Sequence, residues 1–539
     1  MGRRMMHALL AWISSSSERL RHKEGWKRPA LACAFGALSA FAFPPYNLTP
    51  LLWVCFPALV FLLRGTSHFR QAFITGWSYS FGFFVVGLYW IADAMFVDLQ
   101  HFWWAIPLSV AGLPFFFSIS YGIASGIARR LGLLDLAGVI GFALLWFLAD
   151  YARGHMFTGF PWILTGHTWS GFLPMLQLVS VTGVYGLTLL TLIGACLPAL
   201  LSEPKPSHLK IVAGSFLIVL ALALTGTWRL YRTDPNYEKS LPNIRLRLVQ
   251  PNTDQAHKWD ITQRSINFQH LLDLTSAPSA QPVTHVIWPE TAAPFYLMED
   301  APHRQMIAHH LPLDGSLLTG VIRRDVDDQK KIHYFNSLIA INAQGQVLAD
   351  YDKFHLVPFG EYIPFRSLLP LRTITNLGLD FSTGDDVHSL RVAGLPSFSP
   401  LICYEAIFPG KVIDRSDRPH FLLNITNDGW YGNTAGPYQH FALVKLRAIE
   451  EGLPLVRAAN TGISGVVDAY GHVTAMMGVG MTGFLDVDLP PALPSTWFSS
   501  YGEWTLWILF SSFVLISSCC RFHHSCGLKR PFFFPLSKP

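Results

Sequence analysis

Over the first 230 residues of this 539-residue chain, apolar positions run on almost without period, whereas from 231 they break into short runs separated by charge. A helix needs about 20 apolar residues to cross roughly 30 Å of hydrocarbon. Eight such runs are read, at 31–43 (extended by Pro29 and Ala30), 49–63, 73–95, 104–127, 134–149, 173–201, 211–230 and 504–518. The first two are short, and the Pro44-Pro45-Tyr46-Asn47 sequence between them predicts a tight hairpin. The expected architecture is a membrane-embedded bundle of about eight transmembrane helices. It divides into a basic N-terminus at 1–28, spans one to seven at 29–230, a polar domain at 231–500, span eight at 501–520 and a basic tail at 521–539.

The polar domain alternates strand and helix patterns. Ile244, Leu246 and Leu248 interleave with Arg245 and Arg247, as in a half-buried strand. The stretches 283–288 and 317–322 are short continuous apolar runs, and strand-like segments flank Asn342-Ala343-Gln344-Gly345 as in a hairpin. Ala442, Leu446 and Ile449 share one helical face that stops at Gly452. The pattern predicts an α/β domain with a filled core.

Charge orients this plan. The 29–230 region carries 8 Lys+Arg and 5 Asp+Glu, and the 231–500 region 21 and 27. An acidic domain gives no support to nucleic-acid binding. Arg3, Arg4, Arg19, Arg21, Lys23, Lys27 and Arg28 precede span one; Arg64 and Arg70, Arg129 and Arg130, and Lys205 and Lys210 fall in every second loop after it. Basic loops stay cytoplasmic, so the polar domain is expected on the outer face, the periplasm of a Gram-negative cell. Ala40-Phe41-Ala42 imitates a signal-peptidase site, but the polar leader before it is long for a signal peptide. Trp103, Trp104, Trp162 and Trp169 are expected in an interfacial belt.

Of seven cysteines only Cys403 lies in the polar domain, so no disulfide forms within it, and no CxxC or HExxH spacing suggests a metal. Three polar residues follow apolar strand patterns: Glu290 after Val286-Ile287-Trp288-Pro289, Lys353 after Leu348-Ala349-Asp350-Tyr351-Asp352, and Cys403 after Leu401-Ile402. Strand ends are where α/β scaffolds display reactive side chains. A carboxylate takes the thiol proton and an ammonium stabilises the oxyanion formed when sulfur attacks a carbonyl. The set suffices for acyl transfer through a thioester.

Trp288-Pro289-Glu290, the stretch from Tyr351-Asp352-Lys353-Phe354 to Pro358-Phe359-Gly360-Glu361, and Ile402-Cys403-Tyr404-Glu405 resemble in order and spacing the Glu-Lys-Cys signatures of the nitrilase (carbon-nitrogen hydrolase) superfamily. With seven spans before the domain and one after, the chain is similar to the apolipoprotein N-acyltransferase family. The resemblance implies a four-layer α-β-β-α sandwich on a membrane base. It implies acyl transfer from a phospholipid, usually phosphatidylethanolamine, to the α-amine of a diacylglyceryl-cysteine on an apolipoprotein, by a monomer without a cofactor. Position by position it implies Cys403 as nucleophile, Glu290 as general base and then acid, Lys353 and the Tyr404 backbone N–H as oxyanion donors, and Glu361 as a second carboxylate that orients Lys353 or relays protons. Tyr404 and Glu405 match the family motif, and Trp259, within His257-Lys258-Trp259-Asp260, matches a tryptophan used in the second half-reaction.

Simpler roles stand beside these. Glu361 is read alternatively as an ion-pair partner, Glu405 as a helix cap, Trp259 as core packing, and the run from Asn424 to Gly432 as turn chemistry or a loop beside the site. The apolar stretches 359–371 and 497–501 are expected to line an entrance at the membrane surface. Two other functions compete: a membrane-tethered amidase with water as acceptor, and a transporter, against which the scarcity of ionisable residues in the spans argues.

Overall fold

The computed structural model describes residues 2–232, 241, 243–367, 373–374 and 380–525. Expectations placed on the start of the inter-domain link, on 368–372 and on the tail beyond 525 fall outside the described residues.

Among the described residues five helices are long and apolar enough to cross a membrane: Leu99–Leu131, Leu136–His155, Val179–Ser202, Pro206–Tyr231 and Trp504–Arg521. Phe69–Gly87 and Tyr89–Phe96 make a sixth if a pair bent by 57° counts as one span. The first two expected spans correspond to the shorter Lys27–Ser39 and Thr49–Arg64. At 1.5 Å per residue, the 13 residues of Lys27–Ser39 cover only about 20 Å. Helices Lys27–Ser39 and Phe69–Gly87 touch backbone to backbone, because a Cβ at Gly36 would stand 1.7 Å from the Tyr79 carbonyl oxygen and one at Gly82 2.1 Å from that of Cys33. Small residues permit this approach where lipid supplies no hydrophobic drive.

Several expectations change. Residues Gly2–Arg21 form a helix, not a plain polar leader, and rest Ile13 and Leu20 against the membrane core while exposing Met5, Leu9 and Trp12. The spans hold a buried ion pair: Arg153 bonds Asp150 at 3.0 Å, and its other nitrogen holds the Phe160 and Trp162 carbonyls at 2.7 Å. Tyr121 and Thr165 also donate to Asp150. The pair thus satisfies loop backbone that would otherwise sit unpaired beside the spans. Trp162 is consequently buried, outside any interfacial belt, whereas Trp103 and Trp104 are exposed.

The described residues of the polar domain form eleven strands: β1 (Arg245–Gln250), β2 (His285–Ile287), β3 (Ser316–Val326), β4 (Ile332–Asn342), β5 (Val347–Asp352), β6 (Phe398–Ile402), β7 (Phe421–Thr426), β8 (Leu455–Ala459), β9 (Ser464–Val467), β10 (Val473–Met477) and β11 (Gly483–Asp488). They form two sheets, in the orders β11-β1-β2-β3-β4-β5 and β10-β9-β8-β7-β6. β1, β2 and β3 run parallel, as do β6, β7 and β8. β4 and β5 form the antiparallel hairpin expected around Asn342 to Gly345.

Leu246, Leu248 and Leu338 of the first sheet pack directly on Phe398, Ile402 and Leu423 of the second. Helix Arg264–Ser276 covers the outer face of the first sheet through Phe268, Leu271 and Leu272. Helix Ala435–Glu451 covers that of the second through Phe441, Val444 and Ala448. β1 is therefore buried on both faces rather than half-buried. Arg247 is accommodated there by Asp486, at 2.7 and 2.8 Å, and by the carbonyls of Leu274, Thr275 and Ala277.

Candidate active site

The loops after β2, β5 and β6 bring the three expected residues together. Glu290 lies three residues past β2, Lys353 directly follows β5, and Cys403 directly follows β6. All three are buried. Cys403 has a φ of 51° and opens the short helical turn Cys403–Ile407. A left-handed conformation costs a side-chain-bearing residue roughly 1–2 kcal/mol and is held only where the surroundings over-determine it.

Glu405 supplies much of that restraint. Its carboxylate accepts from the Ile402 N–H at 2.7 Å, the Phe354 N–H at 2.7 Å, the His355 N–H at 3.2 Å and the Tyr351 hydroxyl at 2.8 Å. One buried carboxylate thus ties the strand before the thiol to the loop carrying Lys353. Tyr404 points the other way: its hydroxyl donates to the Gly159 carbonyl at 2.9 Å, and its ring packs beside Phe160 and Phe408. Its side chain fastens the sandwich to the membrane half.

Lys353 Nζ lies 2.9 Å from Glu361 Oε1 and 3.5 Å from Glu290 Oε1. The Asn336 side-chain amide on β4 donates to both carboxylates, at 2.7 Å to Glu290 and 2.8 Å to Glu361. The second Glu361 oxygen accepts the Val357 N–H at 2.8 Å. Burial works to deprotonate Lys353, but Glu361, Glu290 and Cys403 outweigh it and its pKa is raised. The ammonium is fixed. Burial above all, and then the Glu290 charge, push the Cys403 thiol up to about 12, with Lys353 opposing. Resting Cys403 is therefore a protonated thiol with a carboxylate and an ammonium acting on it.

Lys258 was not singled out by the strand-end pattern, nor was Asn336. Lys258 is buried and donates to the Glu290 carbonyl at 3.2 Å and the Thr291 hydroxyl at 2.8 Å. Its position beside Trp259 was the available signal. Asn336 offered only an Asn inside a strand-forming run, where that residue is disfavoured. Trp259 is half-buried, with the Lys258 ammonium 5.8 Å from its ring centre, and lines a cavity of about 380 Å³ with Arg264, Phe295, Tyr296 and Arg324. In the Asn424 to Gly432 run, Asn424 and Thr426 belong to β7, while Asp428 opens a short turn and is fully buried.

Residues 35–197 match the apolipoprotein N-acyltransferase N-terminal domain and residues 245–497 the carbon-nitrogen hydrolase family. The fold and site thus define a hydrolase-type α/β sandwich joined to a helical, multi-pass membrane region. The apolipoprotein N-acyltransferase of Bradyrhizobium diazoefficiens is 40% identical over 92% of this chain and 95% of its own, and that of Rhodopseudomonas palustris is 37% identical over 89% and 92%. That of Brucella melitensis is 37% identical over 90% and 94%. The chain belongs to the apolipoprotein N-acyltransferase family. An amidase from a Nesterenkonia species is similar over 46% of this chain and 90% of its own, at 22% identity and a TM-score of 0.34.

Proposed function

We propose that Cys403 is the nucleophile of a two-step acyl transfer carried out on the periplasmic face of the inner membrane. The donor is a phospholipid, phosphatidylethanolamine being the expected one, and the acceptor is the N-terminal amine of a diacylglyceryl-cysteine on an apolipoprotein. The single observation that carries the reading is the placement of Lys353 between Glu290 and Glu361, with both Lys353 and Glu290 acting on the Cys403 thiol.

Because the thiol is held protonated, attack requires a base at the moment of reaction. Glu290 takes the thiol proton as sulfur adds to the ester carbonyl. Lys353 and the Tyr404 main-chain N–H receive the oxyanion charge. Collapse breaks the acyl C–O bond, Glu290 returns the proton to the departing oxygen, and lysophospholipid leaves a thioester on Cys403. In the second step the α-amine adds to the thioester, Glu290 accepts its proton, and collapse forms the amide and restores the thiol. Glu361 holds Lys353, Glu405 holds the Cys403 turn, and Trp259 is the wall against which the acceptor is placed.

The alternation of basic loops supports a sandwich on the periplasmic side of the membrane. The substrates explain the membrane base, since lifting an acyl chain into water costs about 0.8 kcal/mol per CH₂. Exposed Phe359, Phe365, Trp497 and Tyr501 are the apolar residues of the proposed entrance.

The test is intact-protein mass spectrometry after incubation with phosphatidylethanolamine vesicles, with Cys403→Ala in parallel. The expected result is a gain of one fatty acyl group that hydroxylamine removes and the variant lacks. No adduct, together with release of free fatty acid, would make the enzyme a hydrolase that uses water as acceptor.

A further inference from the structure

Helix Ala435–Glu451 lies between the membrane half and the sandwich, and two adjacent residues near its start face in different directions. The Gln439 side chain is buried and all its hydrogen-bonding capacity is spent on the membrane half. Its carbonyl oxygen accepts the indole N–H of Trp90 at 2.9 Å and that of Trp162 at 2.8 Å. Its amide nitrogen donates to the Pro44 carbonyl at 3.3 Å and the Gly87 carbonyl at 3.2 Å. One side chain thus joins the turn after the first short helix, the bend beginning at Gly87, and the loop held by Arg153.

His440 is fully buried and turns toward the sandwich, where it meets Asp428. Its Nδ1 is 2.8 Å from Asp428 Oδ1, and a carboxylate only accepts, so Nδ1 carries the proton. The other Asp428 oxygen accepts from Arg457 at 2.7 Å. Burial raises the Asp428 pKa, but Arg457 and His440 overcome it and hold it at about 2. Arg457 also bonds the Asn424 side-chain oxygen, and the Asn424 amide donates to the Leu401 carbonyl at 2.9 Å, two residues before Cys403; from the same helix as His440, Arg447 donates to the Ile407 carbonyl at 3.4 Å, at the end of the Cys403 turn. On its outer side the imidazole packs against Trp162, ring centres 5.4 Å apart, and Tyr431, at 5.9 Å. Trp162 therefore meets both residues, bonding Gln439 through its N–H and touching His440 with its ring.

We infer that Gln439 and His440 are positioning residues for Cys403: the amide seats the helix on three membrane segments, and the next side chain passes that placement to the strained turn bearing the thiol. The inference rests on Cys403 being the nucleophile. It gives the membrane base a role beyond confining substrate, because the seat of the catalytic turn is partly built from Pro44, Gly87, Trp90 and Trp162. A reacting atom displaced by about 1 Å can lose about a hundredfold in rate, so such a seat acts on kcat.

The test uses the full-length protein in phospholipid nanodiscs and four variants. Gln439→Met keeps length and removes every hydrogen bond, whereas Gln439→Glu keeps an acceptor for both indoles. His440→Phe keeps the ring packing without the polar link, whereas His440→Asn keeps a donor for Asp428. Single-turnover thioester formation, kcat, KM and melting temperature are measured for each. Gln439→Met and His440→Phe are expected to lower kcat and the thioester rate by about 10- to 100-fold with KM for the donor unchanged. His440→Asn is expected to recover most of that loss and Gln439→Glu, which keeps the indole acceptor but sets an oxygen against the Pro44 and Gly87 carbonyls, only part of it. The proposal is overturned if the variants lose melting temperature or yield while the folded fraction keeps wild-type kcat, or if KM rises and kcat holds. Should Gln439→Met not fold, Gln439→Glu and the His440 pair decide by the same readouts. Absence of any Cys403-dependent adduct in the wild type would instead defeat the nucleophile reading itself.

Discussion

Lys353 is hydrogen-bonded to Glu361 at 2.9 Å, closer than its 3.5 Å approach to Glu290. The ammonium is thereby held off the proposed base. Replacing Glu361 by Gln removes the nearer charge and lets Lys353 pair fully with Glu290, which lowers the basicity needed to accept the thiol proton. The expected result is a fall in kcat of about 10²-fold, within the range of a lost acid–base contribution, with donor KM unchanged. Steady-state kinetics against phosphatidylethanolamine checks it. Wild-type kcat in Glu361→Gln would make the pair merely structural.

Asn336 is the shared donor that sets the spacing of the two carboxylates. Asn336→Leu should lose at least tenfold in kcat and about 1–3 kcal/mol of stability, because two buried acceptors each lose a partner. Turnover and thermal unfolding measured together separate the two effects. A variant as active as wild type would mean the carboxylates hold their places without the amide.

The Cys403 thiol is pushed up to about 12, first by burial and then by the Glu290 charge. An ordinary free thiol, with a pKa near ~8.5, reaches full thiolate and levels off in alkylation rate above about pH 9. Alkylation of Cys403 by a small neutral reagent should show no such levelling through pH 10. Glu290→Gln should raise the alkylation rate at pH 9 while abolishing turnover, since it removes both the charge that holds the thiol proton and the group that takes it. An inflection near pH 8.5 in the wild type would contradict this.

Asp428 has a folded pKa of about 2, below its ordinary value of 3.8, because Arg457 and His440 overcome the cost of burial. A depressed carboxylate contributes stability that is full above the unfolded pKa and lost as pH falls through the folded one. The size is of the order of 2 kcal/mol. Asp428→Asn should therefore melt well below wild type at pH 7, and the gap should narrow as pH drops from 5 toward 2. A gap independent of pH would assign the loss to packing alone.

The eight apolar stretches, the β4–β5 hairpin and the strand-end positions of Glu290, Lys353 and Cys403 were legible in the chain because each is a local property. Hydropathy averages over one helix, strand periodicity over a few residues, and a motif over a dozen. Local patterns did not reveal that Gly2–Arg21 is a helix resting on the membrane core, that Arg247 sits inside a double-faced sheet, or that Trp162 is buried while Trp103 is exposed. Those outcomes depend on which element arrives from elsewhere to cover a surface.

The sequence by itself determined the division into an apolar half and a polar α/β half, and the groups on offer in the polar half: one thiol, a carboxylate and an ammonium after strands. Only the tertiary structure decided how those groups are held. Glu405 reaches loops some 50 residues earlier, and the Trp90 indole meets Gln439 across 349 positions. A buried polar group must find its partner wherever the chain brings one, since leaving it unpaired costs about 1–3 kcal/mol. Such partners are selected by the packing of whole layers, which no short window of sequence contains.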